Sequence, residues 1–240
     1  MNKKIKFLFA MLLCIFVFGS CKTIQKEDPD FLGDFPPAEL DKILAGTVKR
    51  TKNEIKPAEF AFVFYPRTNT VSIHHKFLGD NIWINLSEEN RKVVIDSMKK
   101  YIEEYKTRTL SSKNNKKKAY FGKTNINVSW GLFGASYTAK PTLRCEYQLI
   151  TNNRPYFILG NATVSNNEGA NCPAMRMAFS PAQCADIIEI LEQKNLIKIV
   201  EELKAKFEKY GLEETDVTST IEKTAKESSD DDVVNYDSDF

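Results

Sequence analysis

Two serines punctuate this chain in the same way. Ile82, Ile84 and Leu86 alternate up to Ser87, and Met175, Met177 and Phe179 alternate up to Ser180. Alternation at period two marks a half-buried strand, and the residues after each serine have the period of a helix. A serine at such a junction is an N-cap, because its hydroxyl can accept from a backbone N–H in the first turn. Glu88 and Glu89 suit the positive end of the first helix. Pro181 stands at the first position of the second, and Gln183 stands three after its cap. The pattern predicts one helix to about Lys106, burying Val94, Met98, Tyr101, Ile102 and Tyr105. A second begins at Pro181 and buries Cys184, Ile187, Ile188 and Leu191. A third carries Leu196, Val200, Leu203, Phe207 and Tyr210, and stops at Gly211.

The strands come from shorter signals. Phe60 to Tyr65 is apolar on both faces, as a central strand would be. Val71, Ile73 and Phe77 share a face, opposite Ser72, His74 and Lys76. Ile126, Val128, Trp130 and Leu132 alternate, as do Leu143, Cys145, Tyr147 and Leu149. Asn152-Asn153 reads as a turn into a strand from Tyr156 to Val164. The expected fold class is α+β: an antiparallel sheet of about six to seven strands with helices packed on one side. A shift of 93 residues lays Leu86 on Phe179, Ser87 on Ser180, Asn90 on Gln183, and Val94, Ile95 and Met98 on Ile187, Ile188 and Leu191. The two strands-then-helix units are therefore candidate repeats. In element order only, they are similar to the Whirly and PUR-type nucleic-acid-binding folds, with no motif carried over.

The N-terminus says where such a chain goes. Lys3, Lys4 and Lys6 precede an apolar run from Phe7 to Phe18, too short to span a bilayer comfortably, and Gly19-Ser20-Cys21 comes next. This resembles the signal peptide of a bacterial lipoprotein, with Cys21 at the lipobox position; Phe18 stands where an aliphatic residue is usual. The resemblance implies cleavage before Cys21, a diacylglyceryl group on its thiol and a further acyl chain on its amine. Two or more chains make such anchoring stable. The implied location is the cell envelope, on the periplasmic face or the cell surface.

Domain organisation follows from composition. Residues 1–20 read as the signal peptide and 21–57 as a tether, with a short helix at Ala38–Ala45 between Pro36-Pro37 and Gly46. Residues 58–210 read as a single α+β domain. Residues 211–240, with ten acids and two lysines, read as an acidic disordered tail. The total of 34 basic and 32 acidic residues thus hides a basic body and an acidic end.

Chemistry is sparse. Cys145 and Cys184 sit on core-facing stripes and are candidates for a disulfide, or for two buried thiols behaving as small apolar groups. Cys172 sits in a loop before Pro173. His74 and His75 are neighbours in a strand and point to opposite faces, which argues against their sharing a metal. Lys113, Lys116, Lys117, Lys118 and Lys123 form the densest basic patch, a candidate contact for anionic headgroups or a solvated loop. No nucleophile-elbow, zinc-protease or phosphate-loop motif occurs, so no catalytic residue, metal site or cofactor is assigned. The expected function is non-catalytic binding or assembly by an envelope lipoprotein, partnered by the bilayer through Cys21 and by envelope proteins or an external ligand. Secretion argues against nucleic acid. The alternatives are an envelope hydrolase or carbohydrate-active enzyme, and a lipid or small-ligand carrier with a hollow apolar interior. Exposed Trp83 or Phe157 on a flat sheet face would favour binding.

Overall fold

A computed structural model describes residues 30–210 apart from Leu78 and residues 133–136. The signal segment with Cys21 and the tail from Gly211 lie outside the described residues.

The strands are β1 (Ala38–Val48), β2 (Ile55–Tyr65), β3 (Thr70–Phe77), β4 (Asp80–Leu86), β5 (Gly122–Asn125), β6 (Asn127–Gly131), β7 (Tyr137–Ala139), β8 (Thr142–Ile150), β9 (Arg154–Asn161) and β10 (Arg176–Phe179). The helices are α1 (Glu88–Lys106), α2 (Pro181–Leu191) and α3 (Gln193–Tyr210). The strands form one antiparallel sheet in the order β5-β8-β9-β10-β1-β2-β3-β4-β6-β7. The expected sheet of six to seven strands under a layer of helices is therefore overturned. This is a ten-strand half-barrel with three helices among the described residues. Its curvature shows in α1, which touches β4 toward one end of the strand order and β5 at the other.

Three strands account for the miscount. Ala38–Val48 is a strand in the middle of the sheet, between β10 and β2, not a tether with a short helix. Pro36-Pro37 and Gly46 look like helix punctuation, but pairing along the whole of β2 outweighs that local signal. β5 and β7 are four and three residues long, and mostly polar. Edge strands of that kind carry almost no periodic signal.

Those two short strands belong to one bent hairpin. Gly122–Asn125 pairs with residues 142–145 of β8, and residues 128–130 pair with 137–139 in the same register. Only Ile126 separates β5 from β6, yet β5 lies at one edge of the sheet and β6 bonds to β4 near the other. The hairpin thus straps the two edges of the half-barrel together.

Inside, the apolar faces meet the helices. Phe60, Phe62 and Phe64 from β2 join Ile82, Ile84 and Leu86 from β4 and Val94, Met98 and Tyr101 from α1, all essentially inaccessible. Tyr101 packs between Phe121 and Phe157, with ring centroids 5.9 and 5.5 Å away. Its hydroxyl donates to Pro155 O at 2.9 Å. Both predicted caps form as reciprocal boxes. Ser87 accepts from Asn90 N–H and Ser180 from Gln183 N–H, while each partner's side chain accepts from the serine N–H.

A smaller cluster lies on the other face. Val48, Ile150, Ile158 and Ala178, with Ile55 and Tyr156, gather where the β1–β2 hairpin meets β8–β10. Gly46 is required there, since a Cβ would stand 2.1 Å from Ile55 Cγ2.

Candidate functional site

The outer face of β2, β3, β4 and β6 is built mainly from small and polar side chains, because their alternate residues fill the core. Register lines up Lys42, Ala61, His74, Trp83, Ser129 and Thr138 in one row across six strands. Ser72 and Asn85 face each other in the next row and share a 2.8 Å hydrogen bond. Trp83 is the large aromatic in this row and is only partly buried. Its ring is stacked on His74, with centroids 5.2 Å apart and planes 16° apart. His74 Nε2 lies 3.4 Å from Asn81 Oδ1, which fixes the imidazole edge.

Beside this pair runs a groove of about 950 Å³. Ala61 and Val63 are among its apolar residues, and His74, Lys76, Lys42 and Glu59 bring the charge and hydrogen-bonding capacity. Lys42 Nζ and Glu59 Oε1 form a 3.8 Å exposed ion pair at the rim. Charges of both signs beside an aromatic plate suit a ligand with rings and polar substituents.

His75 takes another course, as strand geometry requires. Its Nδ1 meets Glu59 O at 3.1 Å, and its ring lies 4.9 Å from Phe60. Among the described residues, no group of three or more His, Cys, Asp or Glu side chains is placed to hold a metal ion. Of the two aromatics expected to mark a binding face, Phe157 is fully buried in the core and Trp83 stands on the outer face.

The five lysines differ in their surroundings. Lys116 Nζ donates to Asn53 Oδ1 at 3.1 Å, and Lys117 Nζ sits 5.8 Å above the Tyr120 ring. Lys113, Lys118 and Lys123 remain exposed. Their connection supports β8. Its backbone and Asn115 side chain bond Tyr147 O, Cys145 O and Leu149 N–H, carrying the support of β8 on from the end of β5.

Cys145, Cys172 and Cys184 are all buried free thiols, so the disulfide expected as one option for Cys145 and Cys184 is absent. Burial pushes the Cys145 thiol up to about 12, against a helping hydrogen bond from Ser97. Cys184 is raised well above its ordinary range by burial and by Cys145. Cys172 is raised to about 11 by burial. None of the three has the lowered pKa of a reactive thiol.

Sequence reasoning missed a second polar cluster. Glu146 lies buried on the outer face of β8, paired with Arg176 of β10 and, at 3.4 Å, with Arg50 of the β1–β2 tip. Gln148 joins through Arg176 at 3.0 Å and Lys52 O at 2.8 Å. The partners lie up to 96 residues apart, so no local spacing could reveal them.

Comparison with known proteins adds a family. A family described as "Uncharacterised Treponema protein" matches residues 37–198. The chain belongs to that family. One relative, an "Uncharacterized protein" of Treponema pallidum (strain Nichols), is 41% identical over 181 residues, or 75% of this chain. That match spans 66% of the Treponema pallidum protein's own length. No solved structure matches the chain. The family match begins at residue 37, one residue before β1, and includes the whole sheet.

Proposed function

We propose that this member of the Treponema family is a lipid-anchored envelope protein whose half-barrel binds a saccharide-bearing envelope component without catalysis. The observation that carries the binding half is the Trp83–His74 stack on a face of small residues, beside a groove with charges of both signs. A sugar ring can lie against an aromatic plate while its hydroxyls and charged substituents meet neighbouring polar groups. The anchoring half rests on the lysine-led apolar segment ending at Cys21. Lys113, Lys118 and Lys123 would add attraction to an anionic surface, on the order of 1 kcal/mol each where they approach it.

The carrier reading loses its support, because helix side chains fill the described concave side of the sheet. The enzyme reading remains as an outcome of the test. Full-length protein from the bacterial membrane is digested and the Cys21 peptide weighed. The mature chain is then titrated with solubilised cell-wall glycan fragments while tryptophan emission is monitored. An acylated Cys21, and a titration lost in Trp83→Ala, support the proposal. An unmodified Cys21 sinks the anchoring half. An unchanged titration in Trp83→Ala sinks the binding face, and cleavage of the fragments replaces binding with hydrolysis.

A further inference from the structure

β1 pairs with β2 along its whole length, from Ala38 opposite Phe64 to Val48 opposite Ile55. On its other side it pairs with β10 at Gly46 and Thr47 alone. β10 ends at Phe179, and the chain turns into α2, so the first half of β1 faces α2 and α3 across a gap. Two backbone groups on that side are taken by side chains. Gln183 Nε2 donates to Leu44 O at 2.7 Å, and Asp41 Oδ1 accepts from Lys42 N–H at 2.7 Å. Among the described residues, no backbone hydrogen bond reaches Ala38–Leu40 from that side. A strand edge in the middle of the sheet order is therefore open over its first few residues.

The gap is a groove of about 430 Å³. Leu40 from the strand and Ile190, Ile199 and Leu203 from the helices supply its apolar lining. Four acids, Glu39, Asp41, Glu189 and Glu202, line it with a single lysine, Lys206. An unpaired strand edge facing an apolar helix wall is the geometry in which an extended peptide adds as a further strand, main chain giving affinity and alternate side chains giving specificity. Net negative lining selects a positively charged peptide, chiefly through encounter rate and discrimination against acidic ones.

We propose that the groove between the start of β1 and α3 binds an extended, basic, apolar-alternating peptide segment of a partner protein by strand addition. The register irregularity between Glu39 and Asp41 and the charges around it fit this use. Such features stop indiscriminate edge-to-edge pairing while leaving the edge open to a matching strand. The site adjoins the groove beside Trp83 and shares Glu39, Leu40 and Asp41 with it, but it rests on the open edge of β1 and not on the glycan proposal.

The probe is an acetylated, amidated Lys-Val-Lys-Val-Lys-Val hexapeptide, with Glu-Val-Glu-Val-Glu-Val and an N-methylated version of the basic peptide as controls. Backbone amide shifts and hydrogen exchange are measured in the mature chain. The basic peptide is expected to perturb and protect amides at Ala38–Asp41, with at least tenfold weaker binding by either control. Glu39→Lys with Glu202→Lys, both exposed positions, should reverse the preference between the two charged peptides. Retained circular dichroism and melting temperature confirm that this variant is folded. Equal binding of the N-methylated peptide, perturbation confined to other surfaces, no binding, or an unreversed preference in the folded double variant would each overturn the proposal.

Discussion

Glu146 and Arg176 form an ion pair on the outer face of the sheet with the carboxylate side chain only 2% exposed. A carboxylate buried that far costs several kcal/mol to desolvate, and its arginine partners offset the cost. Removing Glu146 leaves the Arg176 guanidinium charged with its side chain only 15% exposed. Glu146→Ala is expected to destabilise by roughly 3–5 kcal/mol. Replacing Glu146 with Leu and Arg176 with Met together should recover most of the loss, since Arg50 is 40% exposed and can turn to water. Urea midpoints of the three proteins check this; equal losses in the single and double variants would contradict it.

Burial of the thiols makes the fold less stable at alkaline pH. Cys145 titrates at about 12 in the folded chain, against an ordinary value of 9. Between those pH values the unfolded chain loses a proton that the folded chain keeps. The stability is full below pH 9 and falls as pH rises toward 12. Cys184 and Tyr101, both raised by burial, act in the same direction. Arg91, lowered to about 10 by burial, acts against them. Melting temperature should therefore drop above pH 9, and less steeply in Cys145→Ala with Cys184→Ala.

The same burial protects the thiols from reagents. Cys145, Cys172 and Cys184 should each resist a disulfide exchange reagent at pH 8 and all become reactive in denaturant. Fast labelling of the native mature domain beyond Cys21 would place a thiol at the surface.

Ser87 and Ser180 offer a paired test of the caps. Each closes a reciprocal box, so Ser87→Ala and Ser180→Ala should each cost about 1 kcal/mol in denaturant unfolding. The two effects should add, because the serines share no hydrogen-bond partner.

Trp83→Ala is expected to separate binding from folding. The ring stacks on the outer face, where such a cross-strand pair contributes roughly 0.2–1 kcal/mol. A melting curve close to that of the parent protein, with glycan titration lost, is the expected result.

The legible part of the sequence is the part that local periodicity and capping encode. The serine junctions, the buried stripe of α2, the Val94, Met98 and Tyr101 part of the α1 stripe, and the burial of Trp130 all come from side-chain pattern within a few residues, whereas Tyr105, expected in the α1 stripe, is 38% exposed. The last helix is legible too, but of its stripe only Leu196 is buried, and Tyr210 is 70% exposed. β1 escapes because its proline and glycine punctuation imitates a helix, while its identity as a strand comes from β2 and β10. The outer site is legible in part: alternation puts His74 and Trp83 opposite the core residues, but their stacking needs the cross-strand register. The Glu146 cluster and the open edge of β1 are products of topology and leave no trace in spacing.

The hairpin from Gly122 to Ile150 has a kinetic meaning. Its two ends bond to strands that no other segment brings together, so neither edge can settle until this middle portion of the chain is in place. Pairings that depend on segments far apart in sequence form slowly, because the entropy of closing the loop is lost before the contacts compensate for it. β1 to β4 can pair early as neighbours, but they would carry an exposed margin at β4 until the hairpin arrives. A secreted version of this protein would pass through that stage outside the cytoplasm. The rate at which residues 122–150 dock would then decide how long β4 is exposed to other chains.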